Sequence, residues 1–153
     1  MQAIKLSNLY RELAFSPKDN KVVLAGIGAM AIVDSVTGSV IKDERHQWSY
    51  FGICFNRSGE QFAVSGMEIL PEFLGPPVVR IFDSDSFKEH LQLKGHAPST
   101  NTPIEGVSFS PDGKRILTVG GGRLRVWDVE SGRTTLSPRT RYPVSNALFS
   151  SNG

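Results

Sequence analysis

The stretch Lys21-Val22-Val23-Leu24-Ala25-Gly26-Ile27-Gly28-Ala29-Met30-Ala31 is the first candidate for chemistry, because an apolar strand runs into G-x-G-x-x-A. That spacing lets a pyrophosphate approach the N-terminus of a following helix, and Asp43 or Glu44 stands where an acid would hold the ribose. The residues after the glycines, Ile32-Val33-Asp34-Ser35-Val36-Thr37-Gly38, are β-branched and end in another glycine, so they form no helix. The stretch reads as two strands with a turn between them, and no cofactor is expected. Gly120-Gly121-Gly122 is followed by no Lys-Ser or Lys-Thr, so it reads as a tight turn and not as a phosphate loop. His46, His90 and His96 show no metal-ligand spacing, and Cys54 is the chain's single cysteine. Inside the run Phe51-Gly52-Ile53-Cys54-Phe55 that thiol is expected to be buried and inert. His96 is expected to make a structural hydrogen bond, and His46 and His90 to be solvated. No serine has an activating partner. Arg133, Arg139, Arg141 and Tyr142 form the one basic and aromatic cluster, which suits phosphate pairing and stacking but reads better as a solvated loop. No catalytic, cofactor-binding or metal-binding residue is therefore assigned.

The elements that carry these residues repeat. Phe109-Ser110-Pro111-Asp112-Gly113 reads as a type I turn between two apolar strands, with Pro111 presetting φ and Gly113 at the fourth position. Degraded copies begin at Phe15, Phe55 and Phe149, so the leading phenylalanines lie 40, 54 and 40 residues apart. Ile32-Val33-Asp34, Ile81-Phe82-Asp83 and Val126-Trp127-Asp128 follow in phase, 19, 28 and 19 residues after their phenylalanines. The middle copy therefore carries an insertion of 9 before its Asp, and another of 5 before Phe109. Because Asp34, Asp83 and Asp128 recur at strand ends, each is expected to accept backbone N–H bonds in the turn that follows rather than to catalyse. A period near 40 in a strand-rich chain marks the blade of a β-propeller.

Gly95-His96, the Phe109 to Gly113 turn and Trp127-Asp128 together resemble the WD-repeat (WD40) family, and the likeness extends over the chain at that period. The resemblance implies an all-β fold, a partial β-propeller of about three four-stranded antiparallel blades with one flanking strand at each end. Residues 1–8 would supply a preceding outer strand, 9–48 the first blade, 49–95 the second, 96–138 the third, and 139–153 the first strand of a fourth. It also implies a structural network of His96, Thr118, Trp127 and Asp128. Glycines near Gly121 stand where the family's further Asp would be, Val33 and Phe82 replace the Trp, and the first two repeats lack the Gly-His pair. Apolar packing is therefore expected to hold the blades. In the first blade the strands are expected at Leu9–Phe15, Val22–Ala25, Ala29–Asp34 and Ser39–Lys42, with Arg45 to Trp48 crossing to the next. The second takes Tyr50–Phe55, Gln61–Ser65, Val78–Asp83 and His90–Lys94. Pro71, Pro76 and Pro77 argue against a regular strand through Met67 to Pro77. Ala97 to Pro103 is a polar crossing, the third blade takes Ile104–Phe109, Arg115–Val119, Arg123–Asp128 and Thr134–Ser137, and Ala3–Leu6 and Val144–Phe149 are the flanking strands.

Closed propellers need roughly 4 to 8 blades, so the chain reads as half a ring. It is expected to be a fragment of a larger propeller protein or to close with further copies of itself, and not to be a stable monomer alone. The composition, 39% hydrophobic and 21% charged, is that of a soluble globular domain, and a net charge of +2 argues for neither nucleic acid nor an anionic membrane. No run approaches the ~18 apolar residues of a membrane helix, and the N-terminus lacks a leader's apolar core, so the cytoplasm is the expected compartment. The resemblance implies a non-catalytic scaffold for protein or peptide partners. An enzyme with a site in the central channel and a nucleic-acid-binding module are the alternatives, marked respectively by convergent polar residues and by steep salt dependence. Family architecture puts the insertion on one rim with the crossings, which makes Ile69, Leu70, Phe73, Leu74, Arg45 and Trp48 the candidate partner-binding residues; the alternatives are that the segment folds back over the neighbouring blade or lengthens the two strands into a longer hairpin.

Overall fold

The structure is a computed structural model that describes residues 10–96 and 102–153. The expected outer strand Ala3–Leu6 and most of the crossing after His96 lie outside the described residues. Among the described residues there are ten strands: β1 (Tyr10–Phe15), β2 (Lys21–Asp34), β3 (Val40–Phe55), β4 (Gln61–Ile69), β5 (Leu74–Asp83), β6 (Glu89–Lys94), β7 (Ile104–Phe109), β8 (Arg115–Gly120), β9 (Arg123–Asp128) and β10 (Thr134–Leu136). They form two antiparallel sheets, β1-β2-β3-β4-β5-β6 and β10-β9-β8-β7, and the arrangement is not closed.

One hydrogen-bond frame recurs in all three repeats. The turn after each phenylalanine is closed by Ser16 N–H to the Lys21 carbonyl at 2.8 Å, Asn56 to Gln61 at 2.9 Å and Ser110 to Arg115 at 2.9 Å. The residue after each recurrent Asp then donates back to that turn, Ser35 to Asn20, Ser84 to Glu60 and Val129 to Lys114. Two turns far apart in sequence are thus tied together in every repeat, which satisfies backbone groups that a loop would otherwise leave to solvent.

The first repeat departs from the expected four strands. Its second and third strands run on as the single strand β2, and its fourth strand, the crossing and the next first strand run on as β3. The reason lies in Lys21 to Asp34, which carries no polar turn residue. Gly28, at φ 71°, and the register shift between Ile27 and Ala29 let the chain bulge instead of reversing. One half of β2, Val22 to Gly26, pairs with β1, and the other, Ile27 to Val33, pairs with β3. The G-x-G-x-x-A stretch therefore lies inside a strand.

The insertion in the second repeat takes the longer-hairpin form, which corrects the expectation that its prolines exclude a strand. It lengthens β4 and β5 into one hairpin, with Met67 opposite Pro77 and Ile69 opposite Leu74. Pro76 and Pro77 are tolerated within β5 because pairing with β6 begins only at Val78, so no N–H is required there on the second edge. Val144–Phe149 forms no strand, since no neighbouring strand in the structure pairs with it.

Two apolar clusters join successive repeats. Val23, Ala25, Met30 and Ile32 pack with Tyr50, Phe62, Val64 and Phe82, and Ile53 and Phe55 lie against them. Ala63, Val79, Ile81 and Leu93 pack with Ile104, Val107, Phe109, Ile116 and Trp127. The first strand of each later repeat thus packs on the body of the repeat before it. Gly52 and Gly106 permit the close approach: a Cβ at Gly52 would meet the Glu105 carbonyl at 3.1 Å, and one at Gly106 would meet the Ser145 carbonyl at 3.3 Å. Residues 144–149 therefore lie against the third repeat much as β7 lies against the second.

Candidate interaction site

The β4–β5 hairpin ends in a turn closed by the Leu70 N–H and the Phe73 carbonyl at 3.0 Å. Phe73 projects there 62% exposed, while Ile69, Leu70 and Leu74 are half-buried. Trp48 lies directly opposite Glu68 in the β3–β4 pairing, so the structure brings it to the arm of this hairpin. Arg45 does not join them at that point: it is exposed and pairs with Ala29 of β2. Both residues sit within β3 and not in a crossing loop.

Around Trp48 is a group of side chains that the sequence reading did not assign. The Arg80 guanidinium lies 4.7 Å from the Trp48 ring centre and 5.0 Å from that of Phe82. Its Nη1 donates to the Tyr50 hydroxyl at 2.7 Å, and its Nε donates to the Glu89 carboxylate. Burial pushes the Tyr50 phenol up to about 12. His46 meets Tyr50 edge-on at 5.1 Å, and both its ring nitrogens are buried without a hydrogen-bond partner. Burial, followed by the charge of Arg80, holds its pKa below the ordinary value. The expectation that His46 is solvated is therefore corrected, because β3 continues through it and folds it beneath its neighbours. His90 is exposed.

Phe87 completes the group. The recurrent turns place Gly38 at φ 73° and Gly132 at φ 67°, and at the equivalent position the second repeat has Phe87 at φ 56°. A bulky residue in the left-handed region is strained, so its ring must compensate. That ring packs against the first apolar cluster and receives Lys21 and Lys42 over its face at 5.7 and 5.6 Å. Aligning the three turns on their Asp residues exposes this Phe-for-Gly exchange, the one sequence signal that marks the site. Two cavities flank the Trp48–Glu68 pair. One, of about 350 Å³, has Pro76, Pro77 and Val78 in its wall. The other, of about 320 Å³, is lined by Met30, Glu44, His46, Arg80, Phe82 and Phe87 among others.

In the third repeat, His96 Nε2 lies 2.7 Å from Thr118 Oγ1, and the Trp127 indole N–H donates to the same hydroxyl at 2.9 Å. Burial, then the charge of Arg125, lowers the His96 pKa to about 4, while a hydrogen bond with the Gly120 backbone opposes the shift. Three of the four network residues are thus joined. Asp128 stands apart and accepts from the Ser131 N–H at 2.8 Å and hydroxyl at 2.6 Å. Asp34 does the same with Thr37, and Asp83 with Ser86. Where the Trp is replaced, Phe82 instead stacks on Phe62 at 5.1 Å.

The remaining candidates stay apart from this site. Burial pushes the Cys54 thiol up to about 12, which keeps it protonated and unreactive. Arg133, Arg139, Arg141 and Tyr142 are all exposed. Among the described residues no group of three His, Cys, Asp or Glu side chains could hold a metal ion. Residues 87–128 match the family model described as WD domain, G-beta repeat. No curated protein matches the chain.

Proposed function

We propose, from the premise that residues 87–128 match the WD40 repeat, a unit of protein-interaction scaffolds, that the chain is a non-catalytic scaffold segment of a larger propeller. It binds protein or peptide partners in the cytoplasm, using the β4–β5 hairpin tip and the neighbouring Trp48. The supporting observation is Phe73, 62% exposed at the end of an arm that Pro76 and Pro77 stiffen. Restricting the arm lowers the entropy lost when an apolar tip is held by a partner. The blades divide at about residues 48, 95 and 138 in this reading, and further blades or further copies of the chain complete the ring.

The test is to replace Phe73 and Leu74 by Ser and compare partner capture with thermal unfolding. Loss of specific capture at an unchanged melting temperature supports the reading. A lowered melting temperature with capture retained assigns the tip to the fold.

A further inference from the structure

We propose that the cavity between Trp48, Phe82 and Phe87 is a side-chain pocket for an arginine of a partner polypeptide. The inference rests on the scaffold reading only in taking the partner to be a polypeptide. Two departures from what folding alone favours, and one carboxylate not engaged in an ion pair, converge on this cavity of about 320 Å³. Phe87 holds a strained backbone where the other repeats have glycine. His46 buries two ring nitrogens without partners. Glu68, in the walls of both cavities, makes no ion pair among the described residues. Such departures persist where a site needs them.

The unused chemistry of the walls selects a ligand rich in donors. A neutral imidazole keeps one acceptor nitrogen, and Glu68 and the Gln47 amide add acceptor oxygens. The charges nearby largely cancel: Arg80 is matched by Glu89, and Lys42 pairs with Glu44 at 3.0 Å. Lys21, which reaches over Phe87, pairs with Asp19 at 2.9 Å and Asp85 at 3.1 Å. The Glu68 carboxylate is left to attract a cation. Aromatic walls suit a planar guanidinium better than an ammonium, as Arg80 shows against Trp48 and Phe82; the Phe82 ring is thereby taken up by Arg80 and Phe62, which leaves Trp48 and Phe87 as the aromatic walls for the ligand. A guanidinium with five N–H donors can bond Glu68 and His46 together.

The probe is the blocked tripeptide acetyl-Ala-Arg-Ala-amide, with acetyl-Ala-citrulline-Ala-amide as its neutral counterpart of equal shape. Titration into the intact chain is followed by the indole N–H resonance of Trp48, identified by its loss in Trp48→Phe. A saturable shift is expected, with Kd in the millimolar range and roughly tenfold weaker binding of the citrulline peptide. Glu68→Gln should weaken the arginine peptide about tenfold and leave the citrulline peptide unaffected. Phe87→Gly restores the residue that the other turns carry but also takes a ring from the first apolar cluster, so its thermal unfolding is measured alongside, and in the folded variant saturation should be lost. Absence of a saturable shift, equal binding of the two peptides, or full binding by Glu68→Gln overturns the pocket. Capture that depends on Phe73 but ignores Glu68→Gln leaves the scaffold reading standing without it, so the two can fail separately.

Discussion

At the scale of single residues, Trp127 carries more than its volume. It is fully buried, and its indole N–H shares the Thr118 hydroxyl with His96. Trp127→Ala should destabilise by about 3 to 5 kcal/mol, and Trp127→Phe, which keeps most of the packing, should remove mainly the hydrogen bond, about 1 kcal/mol. Trp48, half-buried beneath Arg80, should cost much less when changed to Ala. Chemical denaturation of the three variants checks the order, and equal losses at Trp127 and Trp48 would contradict it. His96 adds a dependence on pH. Its folded pKa of about 4 lies below the ordinary 6.5, so between these values the unfolded chain binds a proton that the folded chain does not. Stability is therefore fully present above about 6.5 and declines as pH falls toward 4. His46 is shifted in the same direction and adds to the effect. Melting temperatures should drop through this window in the wild type and less in His96→Gln. A wild-type profile flat down to pH 4.5 would rule the mechanism out.

Between elements, what the sequence made legible depended on whether a local signal stood alone. The turn at Ser110 to Gly113, strands β7 and β9 and the turns at the three Asp residues follow directly from local residue chemistry. The length of β2 did not, because Gly26 and Gly28 permit both a reversal and a bulge, and pairing with two different neighbours decided for the bulge. Pro76 and Pro77 misled for a similar reason, since a proline excludes a strand only where both edges must donate. The Arg80 group was invisible because its members come from separate strands and only the β3–β4–β5 register assembles them. The same register logic yields a test at Gly106. A methyl there would meet Val119 Cγ2 at 2.7 Å and Asn146 Cα at 3.1 Å. Gly106→Ala should cost roughly 1 to 3 kcal/mol and loosen residues 144–149. Limited proteolysis should then cleave after Arg139 or Arg141 faster than in the wild type, and an unchanged rate would show that this segment is not held by its approach to β7.

For the molecule as a whole, the two internal interfaces show what covers a first strand, and among the described residues nothing covers that of the first repeat in the same way. Ile53 and Phe55 in the second repeat and Val107 and Phe109 in the third lie against the body of the repeat before them. The equivalent residues of the first repeat are Leu13 and Phe15, which are 56% and 66% exposed, whereas Val107 and Phe109 are 7% and 8% exposed. Covering two such side chains is worth about 3 to 6 kcal/mol, a sizeable share of the stability of a domain this size. The chain alone should therefore associate. Sedimentation at low micromolar concentration should reveal species heavier than 16.8 kDa, and Leu13→Ser with Phe15→Ser should return the distribution toward the monomer. Adding a blade on the N-terminal side should have the same effect while raising the melting temperature, because it supplies the apolar body that the face requires. The serine variant only removes the attraction, so its melting temperature should stay near that of the dilute wild type. A wild-type chain that sediments as a single monomer and unfolds cooperatively would mean that β1 is stable in water as it stands, and that the repeats need no further blade on this side.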